Sequence, residues 1–235
     1  MSDDTAAAPL TLYSFWRSSA AYRVRIALAL KNIPYHYVAV PLRAEANVPS
    51  GVPNLSLPDY ARTINPQGLV PLIEHEGQRI AQSLAIIDYL DRRFPGKLVI
   101  PDQPAARAWA LSIAQFIACE IHPLNNLRVV NRLRDAYSLD ATARQNWYSY
   151  WIREGFIALE RMLAAENSLA GRYAAGDEPS VADAYLVPQI YNARRFQVPI
   201  DDFPTILRID TACRTLDAFR HAAPEEQPDA ERPVR

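Results

Sequence analysis

Residues 15–30 read FWRSSAAYRVRIALAL. A strand-like run, LTLYSFW, closes at Trp16, and the polar trio Arg17, Ser18 and Ser19 follows it. From there the spacing predicts a helix with Ala20, Ala21, Val24, Ala27 and Leu28 on one apolar face and Tyr22, Arg23 and Arg25 mostly off it. Ser18 and Ser19 both suit the N-cap, where a hydroxyl accepts an orphan N–H of the first turn. Neither has Glu or Gln three residues on, so the cap comes without a capping box. A helix N-terminus dressed with hydroxyls and a cation is suited to an anion, by about 0.3–1 kcal/mol at an exposed site. A thiolate is such an anion, and the same surroundings lower thiol pKa values. The plain alternative is an ordinary strand–turn–helix with a solvated Arg17, and the stretch alone leaves both open.

Working outward, Asn32-Ile33-Pro34 ends the helix, because the residue before proline disfavours helical backbone. Tyr35–Val40 is β-branched and aromatic and reads as a second strand, giving a strand–helix–strand unit with a parallel pair. Residues 41–65 are long, irregular and proline-rich, with a short helical turn expected near Asp59–Thr63; loops of this length usually border a site. Leu69–His75 and Gln78–Ala81 read as strands joined by the turn Glu76-Gly77, and Val70-Pro71 is a candidate cis bond. Ser83 is placed to cap a helix over Leu84–Arg93. The order is βαβ, then ββα.

FPGKLVIPDQP, residues 94–104, breaks every periodicity and marks a domain boundary. Beyond it only helices are predicted: Ala105–Glu120, Leu124–Tyr137, Ala141–Glu166, a kinked helix from Ser180 through Pro188 to Ala193, and Phe203–Phe219. The sequence thus implies an α/β domain over 8–95 and an all-α domain over 105–222, followed by a polar tail. Asp183 stands at the third position after Ser180 and reads as part of a cap; Trp147, Tyr150 and Trp151 read as packing.

Composition narrows the function classes. The chain has 235 residues, 49% hydrophobic and 22% charged, which predicts a soluble globular fold. A formal net charge of −1 argues against a nucleic-acid partner. Cys119 and Cys213 form neither a CxxC nor a metal-ligand spacing, so no metal site is expected and a reducing, cytoplasmic setting is the default. No apolar run approaches a membrane span, and the acidic MSDDTAAAPL lacks a signal-peptide pattern.

Several ordered pieces resemble one family. They are Phe15-Trp16-Arg17-Ser18-Ser19 with Tyr22–Leu28, NPQGLVP at 65–71, QSLAII at 82–87 and IHPLNNL at 121–127. Gly176-Asp177 with Val181-Ala182-Asp183, and LVPQ at 186–189 with ARRF at 193–196, complete the set. Together they resemble the glutathione S-transferase superfamily, zeta class, which includes maleylacetoacetate and maleylpyruvate isomerases. The resemblance implies a thioredoxin-like first domain, an all-helical second domain, glutathione as cofactor, and a homodimer. One departure stands out: the family's Ser-Ser-Cys-Ser is Ser18-Ser19-Ala20-Ala21 here, which removes any enzyme thiol beside the glutathione sulfur. Residues 43–57 also look longer than the family's usual segment.

The implied activity is cis–trans isomerisation of a small maleyl keto-acid, with conjugation of haloacids or other electrophiles as the alternative. For the thiolate, the resemblance points to Ser18 as hydrogen-bond donor, with Ser19 as substitute and Arg17 adding positive potential. For the glutathione cradle it points to Val70 backbone, Gln82 and Ser83, with Gln67 and His122 behind them. For the substrate carboxylates it points to Arg17 and Arg195, with Arg128 and Arg194 next, because a guanidinium fork binds carboxylates bidentately.

Overall fold

The computed structural model describes residues 9–42 and 48–231. The N-terminal tail up to residue 8, positions 43–47 of the long irregular segment, and 232–235 lie outside them. The chain divides into two compact units, 1–97 together with 218–235, and 98–217. The second boundary expected at 222 therefore falls at 217–218: residues that the sequence assigned to a last helix and a polar tail belong to the first unit.

In that first unit the elements are β1 (Thr11–Ser14), α1 (Ser19–Leu30), β2 (His36–Ala39), α2 (Leu57–Thr63), β3 (Leu72–His75), β4 (Gln78–Ala81) and α3 (Ser83–Arg93). This is the βαβ-ββα order read from the sequence, with the first three strands trimmed by one to three residues at an end and the fourth as read. The sheet order is β2-β1-β3-β4. β1 pairs parallel with β2 and antiparallel with β3, and β3 pairs antiparallel with β4. The turn at Glu76-Gly77 uses positive φ at both residues, +50° and +74°, as a two-residue hairpin requires. The Val70–Pro71 bond is cis.

Helix α1 departs from its expected amphipathic form. Tyr22, Arg23 and Arg25 are buried along with Ala21, Val24, Ala27 and Leu28. For Tyr22 and Arg25 the cause is the segment 218–231, which covers the side expected to face solvent. Tyr22 Oη donates to Phe219 O, 3.2 Å, and Arg25 Nε donates to Ala222 O, 3.0 Å. The single helix expected over Phe203–Phe219 is interrupted at Thr215-Leu216, giving α8 (Pro204–Arg214) and α9 (Asp217–His221). The expected polar tail instead forms a 3₁₀ turn at Pro224–Glu226 and buries Pro224, Gln227, Asp229 and Ala230. At the other end of α1, Lys31 is buried against Asp91, 3.3 Å, and donates to Lys97 O, 2.9 Å.

The second unit is helical. It contains α4 (Pro104–Phe116), α5 (Leu127–Tyr137), α6 (Ala141–Ala164), α7 (Val181–Arg195) and α8. The break expected between Glu120 and Leu124 is wider than read: the facing ends of the two helices become a π turn, Ile117–Ile121, and a 3₁₀ turn, His122–Asn125. Gly155 of α6 makes this packing feasible: a Cβ there would sit 2.3 Å from Ile121 Cδ1. Ser180 and Asp183 form a complete capping box at α7, and Asp183 also accepts from Ala174 N, 2.8 Å. Its burial pushes the Asp183 carboxyl upward in pKa, opposed by those hydrogen bonds.

Arg25 sits 1% exposed and donates to Ala222 O, Ser14 Oγ and Trp16 O. We expect Arg25→Met to leave these acceptors unpaired and to destabilise the first unit by about 3 kcal/mol, measured by urea unfolding. A loss under about 0.5 kcal/mol refutes that account.

Candidate active site

Sheet direction gathers the candidate residues of the first unit. Two successive antiparallel pairings make β1 and β4 run the same way. Helices α1 and α3, which follow these strands, therefore start from one edge of the sheet. Strand β3 begins at that edge, since Leu72 pairs with Tyr13 near the end of β1 and with Ala81 at the end of β4. Arg17, Ser18, Val70, Gln82 and Ser83 thus share an edge because of topology alone.

Ser18 is the N-cap of α1, and its Oγ accepts from Ala21 N at 3.2 Å. Ser19 is the first helical residue and is buried, so the choice left open by the sequence resolves to Ser18. Capping uses an oxygen lone pair and leaves the hydroxyl hydrogen to donate. The capping and functional readings of Ser18 are therefore compatible.

Ser83 does not cap α3; it is the first residue of the helix, and Gln82 holds the cap position without a side-chain cap bond. Gln82 has φ +72°, a conformation that costs a non-glycine residue on the order of 1–3 kcal/mol. Its exposed amide donates to Gln67 Oε1, 3.2 Å, so these two candidates meet. Arg23 Nη1 donates to Ser83 Oγ at 3.4 Å from within the core. An eleven-residue helix whose first turn no side chain caps presents N–H groups and a positive dipole end to a carboxylate. Val70 is buried rather than on an exposed edge, yet among the described residues neither its N–H nor its C=O is paired. Its neighbour Leu69 has its carbonyl taken by Tyr60 Oη and Asn65 Nδ2. The uncapped helix, the free backbone pair and the donor at Ser18 fit the carboxylate, peptide and sulfur of glutathione.

Arg17 lies with its guanidinium 4.2 Å over the Trp16 ring. Its Nη2 meets Glu231 Oε2 at 2.8 Å, and the side chain is 17% exposed, so it is not a solvated arginine. The contacts that fix the neighbouring Trp16 backbone carry no local sequence signal. Asp229 accepts from Trp16 N, 3.1 Å, and from Tyr37 Oη, 2.6 Å. Only a tertiary contact spanning 213 residues reveals this.

In the second unit, His122 opens the 3₁₀ turn and is half-buried. Arg128 is exposed at the start of α5, which Asn126 caps through Arg128 N, 3.1 Å. Arg195 ends α7 with its guanidinium 4.8 Å from the Phe196 ring. Phe196 stacks on Tyr148 at 3.9 Å, and Tyr148 Oη donates to Asn125 O. Tyr148 thus ties the end of α7 to the turn that carries His122. Arg194 is committed elsewhere, paired with buried Asp210 at 2.6 Å. Among the described residues no cluster of His, Cys, Asp or Glu suits a metal ion, and no helix is long and apolar enough to cross a membrane. A cavity of about 440 Å³ lined by Ile80, Ala85, Asp88, Tyr89, Arg92 and Arg93 includes none of the candidate residues.

Comparison with known proteins identifies the family. Residues 12–98 match the glutathione S-transferase N-terminal domain family. A maleylpyruvate isomerase from a Ralstonia species is 42% identical over 94% of this chain and 100% of its own. The holo structure of a bacterial zeta-class maleylpyruvate isomerase superposes with a TM-score of 0.85, at 42% identity and the same coverage. So does a maleylacetoacetate isomerase from Methylobacterium extorquens with bound malonate and glutathione, at TM-score 0.85, 37% identity, and 94% and 100% coverage. The chain belongs to the glutathione S-transferase superfamily, in the zeta class. Within that class its relatives are the maleylpyruvate and maleylacetoacetate isomerases.

Tyrosines of the first unit carry a pH signature. Burial holds Tyr60 up at about 12 and pushes Tyr37 and Tyr35 above the usual phenol range. In the unfolded chain each ionises near 10, so the folded state binds protons more tightly and its stability is complete below pH 10. We expect the urea midpoint to hold from pH 7 to 9 and to fall as pH climbs past about 10, at up to about 1.4 kcal/mol per pH unit per tyrosine. A midpoint unchanged at pH 11 contradicts this.

Proposed function

We propose that this protein is a glutathione-dependent cis–trans isomerase that converts a maleyl keto-acid, maleylpyruvate or maleylacetoacetate, to its fumaryl isomer. The observation that carries the reading is the single sheet edge holding a hydroxyl donor, an unpaired backbone, an uncapped helix and an arginine. When bound, glutathione supplies a thiolate that adds to the double bond and leaves again, which frees the bond to rotate. Ser18 Oγ donates a charge-assisted hydrogen bond to that sulfur, and the dipole of α1 adds to it. Val70 pairs its main chain with the peptide, and Ser83 with Gln82 takes the γ-glutamyl carboxylate at the start of α3, Gln67 steadying Gln82. Arg17 binds a substrate carboxylate and places positive charge where the keto-enolate develops. The resemblance also makes Arg195, with Arg128 behind it, a candidate for carboxylate recognition, and His122 one for glutathione binding. The absence of an enzyme thiol at Ala20 is consistent with a mechanism in which the only sulfur needed belongs to glutathione. The same resemblance leads us to propose a cytoplasmic homodimer serving the breakdown of aromatic compounds.

A spectrophotometric assay with both keto-acids, with and without glutathione, tests the reading; no turnover of either acid with glutathione present eliminates it. Ser18→Ala is expected to raise the pKa of the bound glutathione thiol and lower kcat/KM about 10- to 100-fold, the value of a charge-assisted hydrogen bond, while the lost cap costs about 1 kcal/mol of stability. A bound thiol no more acidic than the free one would sink the role of Ser18. Arg195→Ala is expected to lose isomerisation at least about 10-fold while conjugation of a neutral electrophile persists, since a neutral substrate offers no carboxylate for the fork. Equal losses with both substrates would make Arg195 structural.

A further inference from the structure

Arg17 presents an incomplete contact. The Nε–H and the adjacent Nη2–H of a guanidinium point from the same edge and together grip one carboxylate. Here Glu231 takes Nη2 alone, at 2.8 Å, while Nε is buried with no partner among the described residues. We propose that Glu231 is a specificity-determining residue: its carboxylate holds one arm of Arg17 and yields it to a substrate carboxylate that can take both. The inference rests on the assignment of Arg17 to the substrate made above.

The placement of Glu231 is not accidental to its neighbours. Asp229 is fixed by Trp16 N–H and Tyr37 Oη, and Ala230 packs with Phe15, Trp16, Tyr60 and Val70. The backbone on which Glu231 sits is therefore anchored to the same turn that carries Arg17. Its side chain is 44% exposed, so release into water needs little desolvation to be reversed. An arriving carboxylate aligned along the guanidinium edge gains the bond that Nε lacks and breaks only a half-solvated ion pair. A ligand that offers a single oxygen gains nothing over Glu231 and is excluded. Glu231 thereby sets the threshold of carboxylate recognition at Arg17 and keeps stray anions off it.

Calorimetric titration of malonate, a small dicarboxylate, into the glutathione-loaded protein tests this. Glu231→Gln is expected to tighten malonate about two- to five-fold, the range of an exposed ion pair, with glutathione affinity unchanged. The gain should vanish when Arg17→Ala is also present, as a double-mutant cycle demands. Glu226→Gln, which removes the same charge from an exposed position of the same segment, should leave malonate affinity as in the parent. Unchanged or weaker malonate binding by Glu231→Gln overturns the proposal, as does an equal gain from Glu226→Gln or a gain that survives Arg17→Ala. Turnover of the keto-acids by the parent protein is recorded alongside. Its absence strikes the proposed activity, whereas the malonate shift rises or falls independently.

Discussion

Two buried groups of opposite charge hold the backbone of one residue in place. Trp16 stands between the first strand and the helix that follows, directly before the arginine and serine of the candidate site. Arg25 Nη2 donates to its carbonyl at 3.0 Å, and Asp229 accepts its N–H at 3.1 Å. Taking a guanidinium out of water is costly, and burial lowers the Arg25 pKa; the nearby Tyr37, Tyr35, Tyr22 and Asp229 oppose that shift. The burial is tolerable because all three donor nitrogens of Arg25 have acceptors. Without this grip the entry to α1 would be an ordinary surface turn, free to sample several geometries. With it, the hydroxyl of Ser18 and the guanidinium of Arg17 leave the core from a rigid point, which is what charge stabilisation at a reacting centre requires.

The sequence made the first unit's order legible because short-range physics governs it. β-Branched and aromatic runs mark the strands, Glu76-Gly77 marks the hairpin, and the residue before Pro34 marks the helix end. The same reading failed at Tyr22, Arg23 and Arg25. Helical spacing placed them away from the apolar face, and a charged residue off that face reads as solvated. What buries Arg25 and Tyr22 arrives from 197 residues further along, and no local pattern encodes it. The segment 222–231 misled for the matching reason: its acidic and proline-rich composition reads as a tail, although Pro224, Asp229 and Ala230 are buried. Long-range burial of polar groups needs specific partners, and those are visible only in three dimensions.

The candidate site divides along similar lines. Ser18, Val70, Gln82 and Ser83 come from different parts of the chain, yet sheet direction alone collects them at one edge. Their roles shift in detail. Ser83 is not the cap it resembles, because Gln82 takes an unusual backbone conformation and leaves the first turn of α3 unfilled. Residues near His122 were harder still: the sequence marks a break between Glu120 and Leu124, but not the π turn and 3₁₀ turn that widen it into the ends of both helices. The signal was in Gly155, whose missing side chain admits Ile121, but a glycine inside a helix has no single meaning in sequence.

The dual use of groups at the first turn of α1 explains why structure and function do not compete there. Ser18 caps the helix with a lone pair and keeps its proton, so stabilising the fold consumes nothing that binding a sulfur anion needs. Arg17 stacks its planar face on Trp16 and meets Glu231 with one edge nitrogen, which leaves Nε for a ligand. In each case the fold uses one part of a polar group and the chemistry uses another. A replacement that preserves charge or polarity without preserving this division, such as lysine for Arg17, would keep a cation while losing both the ring stacking and the paired N–H edge.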